Sequence, residues 1–154
     1  MKKPTLFTLL LCGLLTVPLM ATTYRVNNKV ADNTSAKIYS TITKAQDAAQ
    51  NGDTIMVEGS PDVYSDTFEC TKRLIIKGPG YFLDENPGIS ANKLSARVGY
   101  IVFNQGSEGS VLIGVSLGNV AINSEGGGDI TFRRCCLDAF YSNHDCENIA
   151  PDRY

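Results

Sequence analysis

The strongest constraint in this 154-residue chain is a recurrence that begins after Gly52, where short apolar runs alternate with Gly, Pro, Asp, Asn and Ser. Four of the runs align: Ile55-Met56-Val57-Glu58, Leu74-Ile75-Ile76-Lys77, Val111-Leu112-Ile113-Gly114 and Ile130-Thr131-Phe132-Arg133, at offsets of 19, 37 and 19 residues. Two equal intervals flanking one of nearly twice their length mark a stacked repeat. The first and third positions are always apolar, and in a strand those positions share one face. The fourth positions are charged or Gly. The pattern predicts parallel strands ~4.8 Å apart, with two inward columns and an outward column of Met56, Ile75, Leu112 and Thr131 between them. The long middle interval predicts one enlarged circuit with an inserted loop over 84–97, because two normal circuits would need a strand near Lys93-Leu94-Ser95-Ala96, which fits poorly. A β-sandwich also spaces strands closely. No Asn-Gly or Asp-Gly joins two alternating runs here, so nothing demands hairpins.

Upstream, Ile42, Ala45, Ala48 and Ala49 fall on one helical face. Thr43 and Gln46 have the spacing of a capping box, and Asn51-Gly52 supplies a stop, which predicts a short helix over 42–50. Its largely alanine face can lie close against whatever it covers. Tyr24 to Val26 reads as a short strand, followed by a polar, turn-rich stretch.

The amino terminus has the form of an export signal over residues 1–21. Lys2 and Lys3 precede an apolar run ending near Leu19, and Ala21 offers a small residue for cleavage, so the mature chain is expected to start near Thr22 as one domain over 22–154. A membrane anchor fits less well, since Pro4 and Pro18 crowd the ends of the run. Removing two lysines from 14 basic residues leaves 12 against 16 acidic ones, a net of −4, which argues against nucleic acid or an anionic membrane as partner. The expected location is secreted, periplasmic or cell-surface. Cys70, Cys135, Cys136 and Cys146 remain after processing. Export permits disulfides, and Cys136 with Cys146 is the first pair to consider because it closes a local loop. Buried free thiols are an equal alternative.

The run from Ser40 through Asn51-Gly52-Asp53-Thr54-Ile55-Met56-Val57, with Tyr64 beyond it, resembles the capping helix and first coil of the exported right-handed parallel β-helix proteins of the pectate-lyase-like superfamily. Leu74-Ile75-Ile76-Lys77-Gly78-Pro79-Gly80-Tyr81 is similar to the following coil, and Ile130 to Leu137 to a later one. The resemblance covers roughly 40–83 and 100–138. It implies an all-β fold of about 3–4 coils over 53–138, closed at one end by the helix, with a polar tail over 139–154. It also implies a short or truncated member, because no second lid is visible.

Lyases of that fold gather calcium-binding carboxylates and a base on outward strand positions, so calcium enters only under a lyase reading. The outward column expected here is mainly apolar. The binding candidates are therefore few: Glu58 and Lys77, expected side by side on adjacent coils, and the pair Arg133 and Arg134. Solvated charge pairing explains such residues more often than a site does. His144 and Cys146 lack the paired spacing of a metal site. No catalytic residue and no resident cofactor is assigned. Three readings stand: a non-catalytic exported module contacting a surface or polysaccharide, a polysaccharide lyase or glycoside hydrolase, and a fragment that self-associates through an uncapped last coil.

Overall fold

The computed structural model describes residues 20–80, 83, 88, 92–123 and 128–142, and they form an all-β structure of parallel strands in two sheets with one short helix. The sheet first entered contains β1 (Thr23–Val26), β2 (Ile38–Tyr39), β3 (Thr54–Val57), β5 (Ile75–Lys77), β7 (Val111–Ile113) and β9 (Thr131–Arg133), in the order β2-β1-β3-β5-β7-β9. The second contains β4 (Tyr64–Cys70), β6 (Arg97–Phe103), β8 (Ser116–Ile122) and β10 (Cys136–Ser142), in the order β10-β8-β6-β4. From β3 onward the chain visits the sheets alternately and returns each time beside its previous strand, a pattern compatible with a parallel β-helix. The expected segments, designated 1–21 and 139–154 at the two ends, lie mostly outside the described residues. Where residues 139–142 are described, they continue β10 rather than begin a tail.

The core lies between the sheets. Tyr24, Ile55, Ile76, Leu112 and Phe132 stack in register along the first sheet, and Phe68, Ile101, Val120 and Phe140 along the second. Observed spacings between stacked positions are 21, 36 and 20 residues, as in Thr54, Ile75, Val111 and Thr131. The enlarged circuit is the expected one, with its insertion between β5 and β6. The expected phase holds for Ile55, Val57, Leu74, Ile76, Ile130 and Phe132, all buried, but is inverted in the third segment. There Leu112 points inward while Val111 and Ile113 are only half-buried. A segment apolar at all three positions carries no alternation to fix which face is inward, and a one-residue slip exchanges the faces.

Tight corners make the two-strand circuits possible. Between β7 and β8, Gly114 adopts φ 66°, and between β9 and β10 the equivalent position is Arg134, at φ 51°. The left-handed region is natural for Gly and costs an L-residue ~1 kcal/mol. Within the second sheet the inward residues step by three, from Val98 to Ile101 and from Leu117 to Val120, so the strands bend. At that bend a Cβ on Gly118 would lie 2.5 Å from the Gly99 carbonyl oxygen, which admits no side chain.

Helix α1 (Ile42–Ala48) closes the β4 end of the stack. Its N-cap is Thr41, whose hydroxyl accepts from Lys44 N, so the expected Thr43–Gln46 capping box does not form. Gln46 instead turns inward, buried with Ile42, Ala45 and Ala49, while Ala48 is exposed. Its amide donates to the Glu69 carbonyl at 2.8 Å and accepts from Thr71 N at 3.1 Å. That side chain thus supplies edge strand β4 with the bonds a further strand would have made, which matters because unpaired buried backbone groups are costly. Lys72 Nζ closes the helix C-terminus by donating to the carbonyls of Gln46 at 2.7 Å and Ala49 at 2.8 Å, a cation where the helix dipole favours one.

Candidate functional site

The four charged residues expected to make contacts are not assembled into one site. Glu58 does not neighbour Lys77, because β3 pairs with β5 through Met56↔Lys77. Its carboxylate accepts from Arg25 Nε at 2.7 Å and Asn27 Nδ2 at 2.8 Å, and it forms an ion pair with Arg25. Lys77 instead has Met56 on one side and Ile113 on the other, and Ile113 separates it from Arg133. Arg134 sits at the following corner, where its backbone turns. Register thus sets Glu58, Lys77 and Arg133 apart, with Met56 and Ile113 as the strand neighbours of Lys77.

Among the described residues, no three His, Cys, Asp or Glu side chains come together in a way that could hold a metal ion. His144 and Cys146 lie outside those residues, so the expected Cys136–Cys146 bridge is not described. Among the described residues Cys70, Cys135 and Cys136 form no disulfide with one another, and burial pushes Cys70 up to about 11, which leaves it protonated and unreactive near neutral pH. No helix among the described residues is long and apolar enough to cross a membrane.

A cavity of about 390 Å³ opens between the start of α1 and the first half of β4. The gap follows from how the helix covers the strand. Gln46 reaches Glu69 and Thr71, so among the described residues the upstream part of β4, which bulges between Tyr64 and Thr67, has no strand on its outer edge. One wall carries the hydroxyls of Ser40, Thr41 and Thr43, and the other Asp62, Ser65 and Asp66. Two buried rings, Tyr64 and Phe68, stand beneath. Burial pushes the Tyr64 phenol above its ordinary value, and its hydroxyl donates to the Glu58 carbonyl at 2.9 Å. Asn28 completes the rim, held by the Ser60 hydroxyl, which donates to its amide oxygen at 2.6 Å.

The charge of the cavity is negative or neutral. Asp62 is paired with Lys29, whereas Asp66 has no ion pair among the described residues, and no Lys or Arg lines the space. Of the other nearby cations, Lys44 is engaged by Asp32 at 2.7 Å and also donates to Ser40 Oγ at 3.1 Å, and Arg97 donates to the Pro61 carbonyl at 2.8 Å. Hydroxyls, an amide and a carboxylate can hydrogen-bond a hydroxyl-rich ring. They offer nothing to neutralise an anion.

Asp32 links this rim to pH. Its hydrogen bond with Lys44, and a further one from Ser40, lower the carboxyl from 3.8 to about 2. A carboxyl depressed by folding stabilises above its unfolded value and loses that contribution as pH falls toward the folded one. Asp32→Asn is therefore expected to flatten the stability decline between about pH 4 and pH 2, with little change near neutrality, as read by urea midpoints across that range.

The sequence reading missed this site. Its signal was present as a polar run, Ser60 to Thr67, just downstream of a helix start rich in hydroxyls, but the two stretches are brought together only by the stacking of β4 beneath α1. No protein-family model matches the chain, and no curated protein or solved structure matches it.

Proposed function

We propose that the chain is an exported, non-catalytic protein with the right-handed parallel β-helix fold, and that it contacts carbohydrate through the cavity between α1 and β4. The observation that carries this reading is the lining: Ser40, Thr41, Thr43, Ser65 and Asp66 converge above Tyr64 with no basic residue among the lining groups. The volume of about 390 Å³ lies at the small end of ligand pockets and suits one sugar ring at the end of a longer chain. The negative balance favours a neutral or amine-bearing sugar over a uronate. Sequence supports the export step through residues 1–21, and the alternation of the chain between two parallel sheets supports the fold.

A lyase of similar architecture would take acidic polysaccharide and calcium, so the two readings predict opposite preferences. The test is a panel of neutral, amine-bearing and uronate oligosaccharides, with and without calcium, followed both for binding and for unsaturated product. Neutral or amine-bearing oligosaccharides are expected to bind without turnover, and Asp66→Asn is expected to weaken them about tenfold or more, a hydrogen bond to a charged group being worth ~1.5–3 kcal/mol. Calcium-dependent turnover of uronates would overturn the reading, as would no binding at all.

A further inference from the structure

Asp53 is a carboxylate at 5 % exposure that the putting-together of the sheet does not explain. It stands just before β3, where the stacked positions of the next circuits are Leu74, Ser110 and Ile130. Burying a charge is costly unless it is hydrogen-bonded and paired. Two hydrogen bonds are present: Gln50 N donates to Oδ2 at 2.7 Å, and Thr22 N donates to Oδ1 at 2.6 Å. No ion pair to Asp53 occurs among the described residues.

The residue that reaches Asp53 is the one at which the fold takes hold of the chain. Thr22 is bonded on both sides, its N to Asp53 and its carbonyl accepting from Thr54 N at 2.8 Å, and β1 follows at once. Met20 and Ala21, immediately upstream, are exposed, and no hydrogen bond to either is found among the described residues. Among the described residues the first one held by hydrogen bonds is therefore Thr22, and a small residue precedes it. A peptidase needs an accessible segment, and Met20 and Ala21 are exposed.

We infer that the Ala21–Thr22 bond is a processing site and that cutting it gives Asp53 its missing counter-ion. The inference rests on the export reading. In the cut, water adds across the amide: the Ala21 carbonyl carbon takes the hydroxyl and leaves as a carboxylate, and the Thr22 nitrogen takes the proton and becomes an α-ammonium near neutral pH. That nitrogen already lies 2.6 Å from Asp53 Oδ1. A neutral amide donor thereby becomes a cationic one in the same place, and charge-assisted bonds are shorter and about twice as strong. Processing would lock β1 onto β3 without any rearrangement of the core.

The full chain is to be expressed in an exporting bacterial host and the exported product weighed intact and sequenced from its end. A product beginning at Thr22 is expected. Its α-amine is then acetylated selectively at mildly acidic pH, which is expected to lower the thermal midpoint by at least about 3 °C. The same treatment of the exported Asp53→Asn product is expected to shift it by less than about 1 °C. A product beginning at another residue overturns the assignment of the site, and a Thr22 product indifferent to acetylation overturns the ion pair. Either result leaves export and carbohydrate contact standing. Retention of the intact chain with Met1, by contrast, would overturn the export reading together with this inference. Should Asp53→Asn fail to accumulate, the acetylation of the unsubstituted product decides alone.

Discussion

Leu112→Asp is expected to abolish the cooperative fold, while Ile113→Asp, one residue along, leaves it intact. Leu112 is fully buried, stacked between Ile76 and Phe132 on the adjacent strands. A carboxylate there has no cation within its column, and removing an ion from water without a partner costs several kcal/mol, comparable with the ~5–15 kcal/mol that holds a domain together. Ile113 belongs to the outer face, where its neighbours on β5 and β9 are Lys77 and Arg133. An aspartate between two cations gains cross-strand attraction of ~0.2–1 kcal/mol each way, enough to offset much of the apolar cover lost. Urea unfolding followed by circular dichroism separates the cases: no transition for Leu112→Asp, and a midpoint within about 1 kcal/mol of the parent for Ile113→Asp. The opposite result would restore the phase that a simple repeat predicts, with Ile113 inward.

The second large effect is expected at Phe103. This ring is fully buried at the end of β6, stacked between Cys70 and Ile122, and meets Phe132 edge-on with centroids 6.1 Å apart and planes at 85°. Phe132 in turn meets Phe140 edge-on at 6.4 Å, so Phe103 anchors a line of rings that runs across both sheets. Truncating a buried Phe to Ala removes its transfer energy and leaves a cavity, which together cost about 3–5 kcal/mol. Phe103→Ala should therefore lower the unfolding free energy by that amount in a denaturant titration. Tyr100→Ala, three residues earlier but on the outer face, should change it by less than about 1 kcal/mol. Equal losses from the two would argue against the inward row of the second sheet.

How far the sequence revealed this fold can be followed strand by strand. The strands of the first sheet stood out because they are short, apolar and bounded by turn residues; β3, β5 and β9 even declared their inward residues, since Thr54, Lys77 and Thr131 are polar and occupy outward positions. Strand β7 did not, having no polar residue inside it. The second sheet was nearly silent. Strand β4 carries Asp66 and Glu69, β8 carries Gly118 and Asn119, and the bend displaces the inward residues from a period of two to a step of three, so no alternation survives to be counted. The helix was visible through its alanines, but Gln46, which looked like part of a local cap, serves an edge 23 residues away. The cavity was invisible for the same reason: its two walls, near residues 40–43 and 62–66, share no motif and meet only in three dimensions. Of the charged candidates, Glu58 is committed to β1 through Arg25, a pairing that could not be found while β1 was not known to lie beside β3.

The bonding of Gln46 and Lys72 to the helix and to β4 makes the two ends of the stack unequal. At the helix end every inward residue of β4 is covered, whereas on β10 Leu137 and Phe140 remain 37 % and 36 % exposed although Leu117 and Val120, directly beside them, are buried. In a stack where each layer is held only by its neighbours, loosening starts where a layer has a neighbour on one side alone. Among the described residues, opening is therefore expected to run from β10 toward β4, with amide protection rising layer by layer toward the helix in hydrogen exchange. The cavity beside α1 stands at the slow end of that expected sequence, so its walls would hold their positions while the far layers open.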